Sequence, residues 1–331
     1  QADSLNMTLV DEWTYVTVDN EYASAIDIVD DYLLLAATGH LFVLEISALG
    51  ELTVIDSLVF PIPGFPPTFT SIGNIAHTDS IVYILKVNDY STYEETELLI
   101  YSIDNTGALD SITCYSLSRS MDFIQIADTL CYLFNGGYGL FYILNISNPI
   151  SPSIIAFSGF PSNLDGTITA FWGDYPLLFD GGDENYGLHG EWYRGKMNIL
   201  NASDVDSIYT SLTRTTELGD TNAYSFFHSM TKKDSLLYVG CKNLYIEVYD
   251  ISSDGSSANF VTSYCDSTFI DYPYDMLIED NLLFASGDTD VRLFDISNPT
   301  MLDVGGFYSQ DGYWEGATSK LYDNLCVKDS F

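Results

Sequence analysis

Basic residues are scarce: Lys and Arg together number 11 in 331 residues, against 47 Asp and Glu, for a formal charge of −36. Surfaces that bind nucleic acid neutralise phosphates with Lys and Arg and release counterions, so this balance excludes DNA and RNA as partners and repels anionic membranes. Long apolar runs are missing as well. The most hydrophobic stretch, Leu33 to Ile46, is broken by Gly39, His40 and Glu45 and has the two-residue rhythm of strands, so membrane insertion is not expected. The five cysteines (Cys114, Cys131, Cys241, Cys265, Cys326) have no CxxC spacing, which removes zinc-site and thioredoxin-like chemistry. They are expected to be small buried hydrophobes, with a Cys241–Cys265 bridge inside one repeat as the alternative. Histidine is rare too: with only His40, His77, His189 and His228, a nucleophilic triad has few available bases. His77 and His228 lie near first strands of their repeats and could face a channel together, although a packed or solvated imidazole is the plainer expectation.

What the chain does contain is aromatic and repetitive. Its 25 Tyr and 19 Phe suit half-buried strands and argue against disorder despite the charge. The stretch Tyr272 to Tyr308 holds one complete unit: an apolar run, the turn Asp280-Asn281, Leu282 to Ser286, a turn at Gly287-Asp288, the alternating strand Val291 to Ile296, the break Asn298-Pro299 and a last strand Leu302 to Tyr308. Four antiparallel strands in about 40 residues is the size of one β-propeller blade. The unit recurs over 20–60, 66–118, 120–159, 161–215, 222–266 and 272–309. Two copies carry insertions, an acidic one at Asp89 to Glu97 and a long loop at Asp180 to Arg194. The third-strand exits centred on Ile46, Ile103, Ile146, Ala202, Ile251 and Ile296 are spaced 57, 43, 56, 49 and 45 residues apart, and the two long intervals are those with insertions.

These counts predict one all-β domain over residues 1–331, a seven-bladed propeller of four-stranded antiparallel blades. Its last blade is assembled from an N-terminal strand within 1–18 (Leu9 to Val18) and a partial unit at 311–331 (Tyr313 to Lys320, Leu325 to Val327), one third strand being absent. A blade closed by both chain ends removes the exposed sheet edges of an open array. The vacant position would be left as a three-stranded blade, filled by a missing C-terminal piece, or filled by a strand from a neighbouring copy, which repeated head to tail makes a fibre.

The third strands and their exits, LFVLEIS, LFYILNISNP, YIEVYDIS and VRLFDISNP, resemble those of the LVIVD-repeat family over Ser24 to Phe331, most specifically at Val291 to Pro299 and Leu140 to Pro149. The resemblance implies a β-propeller of the kind found in exported or surface-attached bacterial and archaeal proteins. It implies no reaction and supplies no catalytic residues.

Candidate sites are few. Asp180, Asp183, Glu184 and Asn185 gather oxygen donors on a glycine-rich loop that would suit Ca²⁺, without EF-hand spacing, and no other cofactor is expected. Trp172, Tyr186, Trp192, Tyr193, Tyr313 and Trp314 could stack on a sugar or a protein partner. Asn6 is the glycosylation candidate, since the other two acceptor triplets fall inside the strand-exit motif. The opening Gln1-Ala2-Asp3 fits a mature end after signal-peptide removal, hence an extracellular or cell-surface location. The expectation is therefore a non-catalytic binding, adhesion or assembly module, not an enzyme, that meets protein or glycan partners at the cell exterior and can self-associate into homo-oligomers or a fibre. The alternative is a secreted hydrolase with its site at the channel mouth.

Overall fold

Short apolar runs joined by two-residue aspartate turns fold into antiparallel meanders. The computed structural model describes residues 23–37, 39–60, 69–90, 93–121, 123–135, 140–159, 169–172, 175–180, 196–201, 209–215, 227–241, 245–253, 255–265, 273, 275–287 and 290–309. The first sheet is β1 (Ala23–Val29), β2 (Tyr32–Ala37), β3 (His40–Ile46) and β4 (Leu52–Val59); the second is β5 (Phe69–Thr78), β6 (Ile81–Tyr90), β7 (Tyr93–Ile103) and β8 (Leu109–Leu117). The third is β9 (Phe123–Ala127), β10 (Leu130–Asn135), β11 (Leu140–Asn145) and β12 (Ser153–Gly159); the fourth is β13 (Thr169–Trp172), β14 (Tyr175–Asp180), β15 (Lys196–Asn201) and β16 (Tyr209–Thr215). The fifth is β17 (Phe227–Lys233), β18 (Leu236–Cys241), β19 (Tyr245–Ile251) and β20 (Ala258–Cys265), and the sixth is β21 (Asp275–Glu279), β22 (Leu282–Ser286), β23 (Asp290–Asp295) and β24 (Asp303–Ser309). Every sheet pairs its strands in chain order.

These are the four-stranded antiparallel blades of an all-β propeller. Six blades are described where the repeat count predicts seven, and the segments expected to form the seventh lie outside the described residues. Two compact units carry three blades each. In one, β1 lies against β5 and β5 against β9; in the other, β13 lies against β17 and β17 against β21.

The repeat has a specific hydrogen-bonding basis. In five of the six blades the first residue of the first-hairpin turn, Asp30, Asp79, Asp128, Asp234 or Asp280, sits at positive φ between +45° and +53°. Aspartate tolerates this left-handed region better than most residues because its short carboxylate can bond locally. The carbonyl of the next residue then accepts an N–H from the isoleucine that ends the third strand: Ile46 to Asp31, Ile146 to Thr129, Ile251 to Ser235 and Ile296 to Asn281 at 2.8 Å, and Ile103 to Ser80 at 2.9 Å. The Ile-Ser exit is thus the point where the third strand is tied to the first turn.

Two turn chemistries follow that tie. With Asn-Pro, the Asn145 and Asp295 side chains accept the N–H of Ser147 and Ser297 at 2.9 and 2.8 Å. Where proline is missing, Ser47, Asp104 and Ser252 accept backbone N–H groups with their own side chains at 3.0, 3.1 and 2.9 Å. In both cases a side-chain oxygen replaces a ladder bond that the turn has broken.

Central strands are buried on both faces, because each is sandwiched between neighbouring blades. Phe294 and Leu293 of β23, expected on opposite faces, are accordingly both buried. Alternation survives only in outermost strands such as β4. Between the first two blades Ala25, Val29, Leu34 and Leu41 meet Ile72, Ile75, Val82 and Ile84; between the next two, Tyr83, Leu85 and Leu98 meet Ile124, Leu133 and Leu144. In the other unit Tyr238 and Val248 meet Met276, Leu283 and Phe294. Each fully buried side chain of this size contributes about 1.5–3 kcal/mol.

Three expectations need correction. The acidic stretch Asp89 to Glu97 is not a turn insertion: Val87 to Tyr90 pairs with Tyr93 to Thr96, and the hairpin simply grows longer, since its Val, Thr and Tyr residues are strong strand formers. The repeat predicts the first strand of the fifth blade over Ser225 to Met230, but it runs on to Lys233, and its turn is Asp234-Ser235. Finally, Cys241 is a free buried thiol, so no Cys241–Cys265 bridge forms.

At the rim, the Tyr32 hydroxyl donates to the Asn105 carbonyl at 2.8 Å and the Leu109 N–H donates to Asp56 Oδ2 at 3.1 Å. Gly107 lets this approach happen. At φ +79°, a Cβ there would come within 2.1 Å of Ile55 Cδ1 and 2.9 Å of Tyr32 Cε1. Gly107→Ala should therefore destabilise the chain by about 1–3 kcal/mol in urea unfolding. Tyr238 presents the opposite case: it is fully buried, its hydroxyl has no hydrogen-bond partner among the described residues, and burial with the Asp234 charge pushes its pKa up to about 12. Tyr238→Phe should raise stability by about 1 kcal/mol in the same measurement, because an unsatisfied buried hydroxyl costs more than it returns.

Candidate functional site

The first strands of blades one and two place two chemically active side chains in contact. In β1, Ala25 and Val29 face the second blade, so Asp27 between them does too; in β5, Ile75 faces the first blade, and so does His77 two residues on. Their cross-strand partners Leu34 and Val82 belong to the same cluster. There Nδ1 of His77 donates to Asp27 Oδ2 at 2.8 Å, with the side chains 33% and 23% exposed. The carboxylate can only accept, so the proton lies on Nδ1, and the neutral ring keeps Nε2 as an acceptor.

The position of His77 is taken in the fifth blade by the exposed Lys232, but two other junctions are uncharged at the equivalent places. Ala76 and Ile126 occupy them between blades two and three, and Thr231 and Ile278 between blades five and six. The first junction seats a hydrogen-bonded acid–base pair beside the apolar cluster between two blades. The hydrogen bond to Asp27 raises the His77 pKa above its ordinary 6.5; burial opposes this, and the charges of Asp27, Asp30 and Asp79 reinforce it.

Two other polar clusters look structural. Glu97 accepts from Lys86 Nζ at 2.6 Å and from Asn88 Nδ2 at 3.3 Å across β6 and β7. Burial pushes its pKa up, but those bonds, the Lys86 charge and the Cys114 thiol outweigh it and hold the carboxyl below the usual range. In β19, the Tyr249 hydroxyl donates to the wholly buried Glu247.

Of the cysteines, Cys131 and Cys241 are buried as expected, with thiol pKa values pushed far up by burial, whereas Cys114 is exposed on β8. Among the described residues no three His, Cys, Asp or Glu side chains group as a metal site. Trp172 ends β13 and Asp180 ends β14 as backbone positions. The remaining proposed calcium ligands Asp183, Glu184 and Asn185, the aromatics Tyr186, Trp192, Tyr193, Tyr313 and Trp314, and Asn6 lie outside the described residues. His77 stood out in the sequence as a first-strand histidine, but Asp27 did not. Aligning the first strands on their turn aspartates would have exposed it, as the one acid among Ala76, Gln125, Thr231 and Leu277.

The bond has a thermodynamic signature. Because the folded pKa of His77 lies above its unfolded value, the stability it adds is fully present below about pH 6.5 and is lost as pH rises through the folded value. The step should be about 1 kcal/mol or less for so exposed a pair. Thermal melts from about pH 5 to 9 should show it in the native chain and not in Asp27→Asn.

No protein-family model matches the chain, and no curated protein matches its sequence. Solved structures do match. A candidate 6-phosphogluconolactonase from Bacteroides fragilis superposes with a TM-score of 0.62 at 10% identity, over 85% of this chain and 82% of that one. Another from Bacteroides uniformis gives 0.63 at 13%, over 85% and 83%. The periplasmic gluconolactonase PpgL of Pseudomonas aeruginosa gives 0.62 at 11%, over 87% and 84%. Identities this low establish the fold alone. They nevertheless correct the expectation of a non-catalytic adhesion or assembly module, since three similar propellers carry lactonase names and the hydrolase alternative accords with them better.

Proposed function

We propose that this chain is an exported hydrolase that opens lactones, with its reacting site at His77 and Asp27. The observation that carries the reading is the Nδ1–Oδ2 bond at 2.8 Å in an otherwise apolar junction. The lactonase names of similar folds support the substrate class, and the periplasmic location named for one of them supports export. The neutral imidazole takes a proton from water at Nε2 as the water oxygen bonds to the lactone carbonyl carbon. Collapse of the tetrahedral adduct breaks the ring C–O bond, and Nε2 returns the proton to the departing ring oxygen, giving the open hydroxy acid. Asp27 holds the tautomer and stabilises the imidazolium formed midway.

The same reading keeps the seventh blade, built from 9–18 and 313–327, because a mid-forties period that fills six blades leaves strand-like segments at both ends. The recurrent Ile-Ser exit likewise supports repeats of the LVIVD type.

Release of acid from glucono-δ-lactone, followed in a pH-stat, tests the function. The native chain should exceed spontaneous opening. His77→Gln should cost about 10²–10⁴-fold in kcat, and Asp27→Asn should lower kcat and move the acid limb of the pH profile to lower pH. Full activity in His77→Gln would place the chemistry elsewhere, and a native chain no faster than water would end the lactonase reading.

A further inference from the structure

The charges around His77 select among lactones, an inference that rests on the hydrolase reading above. Three carboxylates act on this one imidazole: Asp27 by its bond, and Asp30 and Asp79 through their charges. Both turn aspartates are exposed, and they open the first hairpins of adjacent blades. Among the described residues of this unit, positive charge is distant. Residues 1–193 contain two basic side chains, Lys86 and Arg119. Lys86 stands five positions along β6 from the residue that follows the turn, about 16 Å at 3.3 Å per residue, and is engaged with Glu97. Arg119 lies just beyond Leu117, whose partner Thr96 adjoins Glu97, so it belongs to that same far end of the blade.

A phosphate monoester brings nearly two negative charges at neutral pH. Placed beside His77 it would meet Asp27, Asp30 and Asp79 with no cation among the described residues of this three-blade unit within reach. We infer that the site takes an uncharged lactone and discriminates against its phosphorylated counterpart, with Asp30 and Asp79 as the specificity-determining residues. Asparagine tolerates the left-handed turn positions these two occupy, at φ +53° and +45°, so Asp30→Asn and Asp79→Asn remove charge without refolding the turn.

The experiment compares kcat/KM for glucono-δ-lactone and 6-phosphoglucono-δ-lactone, using the full chain and the Asp30→Asn/Asp79→Asn double variant, at low and at high salt. The native chain should prefer the neutral lactone by about tenfold or more at low salt. The preference should shrink with added salt and in the double variant, whose folding is checked by its melting temperature. Equal or better use of the phosphorylated lactone overturns the inference and leaves the hydrolase reading intact. If neither lactone is opened, the hydrolase reading falls, and the charge selection is then decided by following the His77 imidazole resonances during titration with inorganic phosphate. Saturable shifts at millimolar phosphate overturn the selection, and unmoved resonances uphold it.

Discussion

The amide of the isoleucine leaving the third strand in five of the six described blades, bonded to the carbonyl in the first hairpin turn, is the constraint on which the blade depends. It joins the end of the third strand to the start of the second, so three strands are in register before the fourth is laid down. The aspartate before that carbonyl supplies the left-handed bend that turns it toward the amide. Without that bend the carbonyl would point along the strand, and the exit residue would have no partner. Packing then acts on a unit whose register is already set, which is why the interface clusters repeat from blade to blade while individual residues change.

Within that regularity the Asp27–His77 pair is an exception with a cost. The junctions that carry Ala76 with Ile126, or Thr231 with Ile278, obtain stability from apolar contact. The first junction replaces part of that contact with a half-buried hydrogen bond whose net contribution is small. Polar side chains that displace packing in a repeat tend to do so where chemistry is performed. The free Nε2 and the partial exposure of both groups are the properties that such chemistry needs.

Much of the blade was legible because its signals are local. Turn aspartates, Ile-Ser exits and apolar runs lie within the same repeat as their partners, and the strand boundaries of the first, third and sixth blades follow from them. The candidate site was not legible for the converse reason: Asp27 and His77 are 50 positions apart and meet only when two blades pack. The long β6–β7 hairpin was hidden by its acids, since Asp89, Glu94, Glu95 and Glu97 suggest a solvated loop. Cross-strand pairing carries these positions in the ladder, while Thr96, fully buried, anchors the ribbon by accepting the Met121 N–H at 2.8 Å. Function was the least legible feature of all, because a carboxylate-rich sequence offers acids everywhere and only coordinates show which one meets an imidazole.

The rim contacts around Gly107 have a mechanical consequence. Tyr32 with Asn105, and Asp56 with Leu109, fasten the second and fourth strands of the first blade to the second blade, while Asp27 and His77 fasten the first strands. The seam is thus held at more than one strand, which resists sliding of the two blades. The imidazole and its carboxylate are therefore clamped in a fixed frame, and a molecule arriving at them meets a geometry that does not need to close around it.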